Sequence, residues 1–269
     1  ELWIGHPKFE LIRHDIVEPI YVEVDKIWHL ACPASPIHYQ FNPIKTSKTC
    51  FIGTLNMLGL ARRTNAKILL ASTSEIYGDP TMNPQRENYR GNVNPIGIRS
   101  CYDEGKRIAE SLCFDYLRQN QTDIKVMRIF NTYGPRMYPN DGRVVSNFII
   151  NAINNKPLKI YGKGNQTRSF CFVEDLIRGM TKFMESDLNG PINFGNTCEI
   201  TIKDLAELII KKINPELRIV YEKKPEDDPT QRNPNIDLAK KSLKWEPKVA
   251  LNEGIDLTID YFKNSEIEK

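Results

Sequence analysis

The sequence predicts an α/β fold, in which helices cover both faces of a parallel β-sheet. Short β-rich runs recur in the first half of the chain, and longer segments with helical spacing of apolar residues separate them. The chain has 269 residues, of which 40% are hydrophobic, so it can bury a substantial core. Strands that alternate with helices form βα units, and such units place their strands side by side in parallel.

Four runs and two helical patterns support this prediction over the first 130 residues. The helical patterns cover 45–64 and 102–120, where apolar residues recur near the spacing of a helix face. We therefore predict one sheet-forming domain over residues 1–130. The β-rich runs are FELIRHD at 9–15, KIWHLA at 26–31, AKILLAS at 66–72 and IKVMRIF at 124–130.

The sequence changes in texture near residue 131, where Gly, Pro and Asn become frequent. We predict that residues 131–269 form mainly a smaller, loop-rich lobe. One further strand, PINFG at 191–195, is expected to return to the sheet. The predicted helices of this part cover 144–155, 173–186 and 201–213.

Composition excludes several classes of function. Lys and Arg number 37 against 34 Asp and Glu, and the charges are interspersed, so nucleic acid is not an expected partner. No apolar run approaches the roughly 18 residues that span a bilayer, and the start of the chain lacks a secretory pattern. The six cysteines and four histidines lack metal-ligand spacing. We expect a soluble cytoplasmic protein with reduced thiols and no metal.

Two polar constellations fall where an open parallel sheet binds ligands, beyond the carboxyl ends of its strands. The segment Ser72-Thr73-Ser74-Glu75 follows a buried strand, although a hydroxyl-capped turn would also explain it. Tyr102 and Lys106 stand four apart on one helix face, where an ammonium favours a phenolate that can act as a base. With 11 tyrosines, about one Tyr-x-x-x-Lys arises by chance, so an exposed helix pair is the competing interpretation.

Together, these constellations resemble the Ser/Thr and Tyr-x-x-x-Lys centre of extended short-chain dehydrogenases that act on nucleotide sugars. Within that group the chain is similar to UDP-glucuronate decarboxylases, also called UDP-xylose synthases, over essentially its whole length. The resemblance implies a Rossmann-like doubly wound sheet that binds NAD over 1–130 and a UDP-sugar lobe over 131–269. The segments that carry it are HLACPASPIHYQFNP, STSEIYGDP, NPIGIRSCYDEGKR, RIFNTYGPRM, DGRVVSNF, GNQTRSF and WEPKV.

The resemblance also implies a lyase reaction and the residues that perform it. Tyr102 would take the C4 hydroxyl proton as hydride leaves C4, while Lys106 holds the nicotinamide ribose and lowers the pKa of Tyr102. The 4-keto sugar then loses carbon dioxide, with Ser74 donating to the C4 oxygen and Glu75 acting as acid and base. Arg232 would be a second acid near the substrate carboxylate. Related dehydratases carry Asp at the position of Ser74, and serine is a poor acid for their task.

The binding residues implied by the resemblance fall into two groups, and one residue departs from the family pattern. Cys50 stands where the family usually has Asn, so a local rearrangement is expected there. The cofactor group comprises Asp15, Ile16, Leu30, Ala31, Cys32, Thr49, Ser72, Tyr102 and Lys106. The substrate group comprises Tyr39, Thr73, Arg99, Asn131, Arg143, Asn147, Tyr161, Arg168 and Arg232.

The family's opening strand, glycine-rich turn, helix and second strand have no counterpart in this sequence, a difference of roughly 40 residues. We therefore expect the first two strands of the sheet to be missing from this chain. Three alternatives remain open: an enzyme complete in its organism, a remnant that only binds UDP-sugar, and another nucleotide-sugar dehydratase or epimerase. The resemblance further suggests a homodimer built on helices 45–64 and 102–120.

The first prediction concerns the two ligands. The glycine turn and helix N-terminus that bind a dinucleotide pyrophosphate are absent, whereas the uridine and sugar residues lie mainly after residue 70. The 269-residue chain should therefore bind UDP more tightly than NAD and release no carbon dioxide. Calorimetric titration with each ligand tests this, and micromolar NAD binding would contradict it.

Overall fold

A computed structural model describes residues 3–223 and 231–264, and its centre is a four-stranded parallel sheet. From one edge to the other, its strands are β1 (Lys26–His29), β2 (Lys67–Thr73), β3 (Ile124–Ile129) and β8 (Ile192–Phe194), so β2 and β3 occupy the middle. The predicted α/β fold is confirmed. The strands are β1 Lys26–His29, β2 Lys67–Thr73, β3 Ile124–Ile129, β4 Thr132–Tyr133, β5 Leu158–Tyr161, β6 Thr167–Ser169, β7 Cys171–Phe172, β8 Ile192–Phe194, β9 Glu199–Thr201, β10 Ile219–Glu222 and β11 Gln231–Arg232.

Each predicted helix is present to within a few residues at each end, whereas three further helices, Pro36–Tyr39, Asp237–Leu243 and Leu251–Asn264, were not predicted. A π-helical turn, Thr49–Gly53, joins α2 to α3, and a 3₁₀ turn, Ser74–Tyr77, follows β2. The helices are α1 Pro36–Tyr39, α2 Pro43–Lys48, α3 Thr54–Thr64, α4 Ser100–Asn120, α5 Val144–Ile153, α6 Val173–Met184, α7 Ile202–Ile213, α8 Asp237–Leu243 and α9 Leu251–Asn264.

Alternating side chains of the sheet enter two separate apolar clusters, as the period of a strand requires. In β2, Ile68 and Leu70 pack with α3 and α4, whereas Leu69 packs with α6 and α8 on the opposite face. In β3, Val126 and Met127 divide in the same way. Because both faces are covered, the strands read as continuous apolar runs in the sequence.

A third apolar cluster lies outside the sheet and is formed by α5, α7 and α9 with β5. Two small sheets border it: β5 pairs with β10, and β6 lies between β9 and β11. Through this pairing β11, which contains Arg232, is joined to the loop-rich part of the chain. The division near residue 130 stays a prediction. Elements from after this point also contribute to the central sheet, since α6 and α8 pack on it and β8 joins it.

The predicted strand at 9–15 is wrong. That segment has no regular secondary structure, and its apolar side chains Phe9, Leu11 and Ile12 are exposed. A strand requires a neighbour to complete its backbone hydrogen bonds, and no strand among residues 3–223 and 231–264 pairs with this segment. Its β-rich composition was therefore misleading.

Two expected absences concern the described residues only. Within 3–223 and 231–264, no helix is both long and apolar enough to cross a membrane. The same residues contain no group of three or more His, Cys, Asp or Glu side chains placed to hold a metal ion. All six cysteines are free thiols.

The second prediction compares two helical glycines. A Cβ added at Gly179 in α6 would lie 2.6 Å from Trp245 Nε1 and 2.7 Å from Phe194 Cδ1, whereas one added at Gly59 in α3 meets nothing within 4 Å. Gly179→Ala should lower the free energy of unfolding by about 1–3 kcal/mol through overpacking. Gly59→Ala, the matched control, should raise it by about 1 kcal/mol. Urea denaturation measures both, and equal effects would contradict this account of the core.

Candidate active site

A cleft at the carboxyl ends of β2 and β3 contains all five residues predicted to be catalytic. Its volume is about 320 Å³, within the range of small-molecule sites, roughly 300–1,000 Å³. The turn after β2, the first turns of α4 and strand β11 contribute them, so three distant parts of the sequence meet at this edge. The five residues are Ser74, Glu75, Tyr102, Lys106 and Arg232.

Glu75 lies between two guanidinium groups. It forms ion pairs with Arg99 and, at 2.5 Å, with Arg232. Burial by itself favours the neutral carboxyl, but the charges of Arg232 and Arg99 outweigh it and lower the pKa of Glu75 to about 2. Glu75 is therefore a carboxylate at neutral pH, able to accept a proton or a hydrogen bond.

Arg232 is almost fully buried, so it is not a surface arginine. It donates to the carbonyl oxygens of Ser74 at 3.1 Å and Gly78 at 2.8 Å, in addition to Glu75. The guanidinium thus fixes the backbone of the turn that presents Ser74 and Glu75. Residues 228–230 of its motif lie outside the described residues.

Gln85 holds the segment that delivers Arg232, and sequence reasoning missed it. The Gln85 backbone donates to Asn233 O at 2.8 Å and accepts from Asn235 N at 2.8 Å. Its side chain accepts from Asn233 N at 2.9 Å and donates to Met82 O at 2.7 Å. A fully buried glutamine whose backbone and side chain both pair with one segment is a fixed anchor for that segment.

Tyr102 and Lys106 occupy one face of α4 inside the cleft, as predicted. The ring of Tyr102 stacks on Tyr39 with centroids 4.9 Å apart, and Lys106 Nζ donates to Ala71 O at 2.8 Å. Burial raises the pKa of Tyr102 well above its ordinary value, and a hydrogen bond with Thr73 opposes that shift. Lys106 Nζ lies 5.9 Å from the centre of the Tyr102 ring, and its lowering of the Tyr102 pKa stays a prediction.

Asp103 is a second residue that sequence reasoning missed. It is buried beside Arg99, with Arg99 Nε 3.8 Å from its carboxylate, and its Oδ1 has no hydrogen-bond partner within the described part of the chain. Burial and the negative charge of Glu75 raise the pKa of Asp103 to about 7, against the opposing charge of Arg99. The only sequence signal was its position next to Tyr102.

A buried ion pair supports the cleft from beneath. Glu110 accepts from Arg128 Nη2 at 2.7 Å and also accepts from the hydroxyl of Ser72. Arg128 Nη1 donates to Tyr77 Oη at 2.9 Å, and Tyr77 in turn donates to Asn193 at 2.8 Å. Ser72 lines the cleft, but its hydroxyl is directed to Glu110 in this structure.

The other predicted cofactor residues divide between the cleft and its surroundings. Leu30 and Cys32 line the cleft, and the exposed Ala31 lies between them in sequence. Like Ala31, the residues Asp15, Ile16 and Thr49 do not line the cleft. Asp15 forms an ion pair with Lys45, the side chain of Ile16 lies over Gly53, and the Thr49 hydroxyl donates to Lys45 O at 2.8 Å.

The predicted substrate residues line this cleft and a second cavity that adjoins it, of about 260 Å³. Asn131, Arg143 and Arg168 border both cavities, which therefore form one continuous site. Tyr39, Thr73, Arg99 and Arg232 belong to the cleft, and Asn147 and Tyr161 belong to the second cavity.

The cleft has buried polar groups suited to a polar, anionic ligand. In the described part of the chain, Tyr39 Oη and Arg232 Nε are buried without a hydrogen-bond partner, and both residues line the cleft. A buried polar group without a partner is costly, so these atoms favour a ligand that completes their bonds. Guanidinium groups pair well with phosphate and carboxylate oxygens.

These features define a class of protein: an α/β fold with a Tyr-Lys pair and an arginine-lined ligand cleft at the carboxyl edge of its sheet. The family described as GDP-mannose 4,6 dehydratase matches residues 6–258. The chain therefore belongs to this family.

Individual relatives carry more specific names than the family does. UDP-glucuronic acid decarboxylase 6 of Arabidopsis thaliana is 59% identical over 261 residues, covering 97% of this chain and 76% of the relative. UDP-glucuronic acid decarboxylase 1 of Danio rerio is 55% identical over 262 residues, covering 97% and 63%. The resemblance to decarboxylases is thus confirmed.

Two solved structures are similar in fold. The first is UDP-glucuronic acid 4-epimerase from Bacillus cereus in complex with UDP-glucuronic acid and NAD. It has a TM-score of 0.84 and 26% identity, over 97% of this chain and 84% of that one. UDP-glucose 4-epimerase from Thermotoga maritima, with UDP-glucose, has a TM-score of 0.83 and 28% identity, over 89% and 77%.

The third prediction follows from Asp103. The pKa of Asp103 is raised from its ordinary value of 3.8 to about 7 in the folded state. Between these two pH values the folded state therefore binds more protons than the unfolded state does. Stability should therefore fall as pH rises through this window. Glu75 has a lowered pKa in the folded state, so its contribution to stability is complete above its ordinary pKa of 4.5 and does not change with pH in this window.

Asp103→Asn removes the titrating group. Relative to the unmodified protein, this variant should gain roughly 1–3 kcal/mol of unfolding free energy between pH 5 and pH 8. Asp115→Asn, an exposed aspartate on the same helix, is the control and should show no such gain. Urea denaturation across this pH range is the measurement, and parallel curves for Asp103→Asn and the unmodified protein would contradict the assignment.

Proposed function

We propose that the protein catalyses the NAD-dependent decarboxylation of UDP-glucuronate to UDP-xylose. The carrying observation is that Glu75, Tyr102 and Arg232 meet in one cleft, in a chain 59% identical to a UDP-glucuronic acid decarboxylase. The arginines of the site match a substrate with three negatively charged parts, the two phosphates and the carboxylate. Ser74 and Arg232 favour decarboxylation over dehydration.

The residues of the cleft fit NAD at its nicotinamide end. Lys106 uses one ammonium hydrogen on Ala71 O, so two remain for ribose hydroxyls. Leu30, about half exposed beside the cleft, offers an apolar surface for the nicotinamide ring. When bound, NAD takes hydride from C4 of the sugar and returns it after carbon dioxide has left.

Tyr102 is assigned the proton of the C4 hydroxyl. It lies between Thr73, its hydrogen-bond partner, and the charge of Lys106. Its raised pKa means that the phenol is the resting form, so its proton must pass to solvent when substrate binds, before Tyr102 can accept the proton of the C4 hydroxyl. Once C4 is a ketone, the carboxylate lies β to it and carbon dioxide can leave, with electrons delocalised into the C4 oxygen. We assign Ser74 as the hydrogen-bond donor to that oxygen.

We assign Glu75 and Arg232 complementary roles. Glu75 rests as a carboxylate, so it must take a proton from solvent before it can donate one to C5 of the sugar. Arginine keeps its proton at any working pH, so we give Arg232 an electrostatic role at the substrate carboxylate in place of the acid role. For the diphosphate and uridine we propose Arg143, Arg168 and the second cavity.

A second candidate function is epimerisation at C4. It is supported by the similarity in fold to an epimerase solved with UDP-glucuronic acid and NAD. The same Tyr102 and Lys106 chemistry would serve both reactions up to the 4-keto sugar. Product chromatography separates them, because decarboxylation yields a pentose nucleotide and carbon dioxide, whereas epimerisation retains the carboxylate.

We further propose a homodimer that pairs α3 and α4 with those of a second copy. The support is an apolar surface on this side, where Phe51 is 43% exposed, Leu55 37% and Ile108 41%. These side chains come from adjoining elements that already pack on each other, the π-helical turn with α3 and α4. Sedimentation of the unmodified protein and of Phe51→Glu tests the pairing, which the charge should disrupt.

The fourth prediction concerns Tyr102. In a version that also carries the family's opening strand, glycine-rich turn, helix and second strand, Tyr102→Phe should reduce carbon dioxide release by about 10²-fold or more, because only the proton acceptor is lost. Binding of UDP-glucuronate by calorimetry should be retained. Tyr116→Phe, on the same helix but outside the cleft, is the control and should turn over normally. Unchanged carbon dioxide release by Tyr102→Phe would end the assignment.

The fifth prediction separates two arginines. In the same extended version, Arg232→Ala should lower decarboxylation by more than it weakens binding of UDP, since UDP lacks the carboxylate. Arg143→Ala should weaken UDP and UDP-glucuronate alike, because both carry the diphosphate. A thermal melt of each variant checks folding, as Arg232 also holds two buried carbonyls. If Arg232→Ala lowers decarboxylation and UDP binding by the same factor, Arg232 is a diphosphate ligand or a structural residue instead.

A further inference from the structure

Two cysteine thiols are in contact at the wall of the cleft. Cys32 Sγ and Cys50 Sγ lie 3.2 Å apart, although 18 positions separate them in the sequence. Cys32 lines the cleft and is partly accessible, whereas Cys50 is buried. Cys50 stands where the family usually has Asn, so the contact depends on a cysteine that the family usually lacks.

The surroundings hold Cys50 in place beneath Cys32. Cys50 lies in the π-helical turn that joins α2 and α3, and it packs against Gly105 of α4. A Cβ added at Gly105 would lie 2.9 Å from Cys50 Cβ and 3.0 Å from its Sγ, so the absence of a side chain at Gly105 leaves the space that Cys50 occupies. A disulfide has about 2.05 Å between its sulfurs, so these two sulfurs would have to approach by roughly 1 Å.

The two thiols differ in acidity, which gives them different chemical roles. The hydrogen bond from Cys50 lowers the pKa of Cys32 to about 7, despite partial burial, and the charge of Lys106 acts in the same direction. The same hydrogen bond and burial raise the pKa of Cys50. The accessible sulfur is therefore the better nucleophile, and the buried one retains its proton.

We propose that Cys32 and Cys50 form an oxidisable dithiol, a modification site for hydroperoxides in the wall of the catalytic cleft. The Cys32 thiolate attacks a peroxide oxygen, the O–O bond breaks, and hydroxide or alkoxide leaves with a proton from solvent. Cys32 becomes a sulfenic acid. The Cys50 sulfur then attacks the Cys32 sulfur, and the sulfenic oxygen leaves as water with the Cys50 proton. Two thiols are oxidised to one disulfide and one peroxide is reduced.

The disulfide would join two segments that border the active site. Cys32 belongs to the loop after β1 that lines the cleft, and Cys50 packs on the helical turn that carries Tyr102 and Lys106. The site is independent of the proposed reaction, because its formation requires neither nucleotide nor turnover. Its detection therefore stands or falls separately from the decarboxylase activity.

Mass spectrometry of tryptic peptides tests the proposal directly. The native protein is treated with hydrogen peroxide near stoichiometric amounts, its remaining thiols are alkylated, and it is digested without reduction. Peptides 27–45 and 49–62 each contain one cysteine, so a cross-linked pair identifies the bond without ambiguity. We expect this pair to be the principal oxidised product, and to disappear when a thiol reductant is added before digestion.

Two variants provide matched controls. Cys50→Ser should leave Cys32 as a sulfenic acid, trapped by a dimedone-type reagent, with no cross-linked peptide. Cys101→Ser removes the other partly buried thiol nearby and should not change the cross-link. The proposal is overturned if the unmodified protein keeps both Cys32 and Cys50 alkylatable after peroxide, or if Cys32 pairs with Cys101 instead.

Discussion

The ion pairing of Glu75 with two arginines is the interaction on which the site depends. Arg99 precedes α4, and Arg232 comes from β11, a strand paired with the loop-rich part of the chain. One carboxylate therefore connects the sheet, helix α4 and the loop-rich part of the chain. A carboxylate or guanidinium buried alone would be strongly unfavourable, and each of these groups is tolerated because the others are present.

The same interaction sets the protonation of its neighbours. With Glu75 ionised, a second negative charge at Asp103 is disfavoured, and burial adds to that effect. Two carboxyl groups near the same arginines thus rest in different states at neutral pH, Glu75 as an anion and Asp103 near its titration point. Such a separation of pKa values is a frequent property of sites that move protons.

Beneath the cleft, the structure satisfies its polar groups by a connected network. Glu110 and Arg128 form an ion pair between the sheet and α4, and Asn193 and Gln85 extend the contacts to the segment that carries Arg232. Few buried polar atoms lack a partner among the described residues, and several of those lie in or beside the cleft. The polar groups beneath the cleft thus have hydrogen-bond partners, whereas several atoms that line the cleft do not. This difference is expected of a site that binds a polar ligand.

By itself the sequence determined the fold class, the four strands of the central sheet, the helical segments that contain α2 to α7, and the segments that carry Ser74, Glu75, Tyr102 and Lys106. These features depend on local periodicity and on short motifs, which neighbouring residues largely decide. The predicted strand at 9–15 failed because a strand requires a partner elsewhere in the chain, which composition cannot reveal.

Only the tertiary structure decided which side chains meet across long separations. Arg232 reaches Glu75 over 157 positions, and Cys50 meets Cys32 over 18. The state of Asp103 and the anchoring role of Gln85 were likewise absent from any local pattern. Burial and charge–charge distance are properties of the folded chain, so pKa values and thiol contacts follow from packing and not from the order of residues alone.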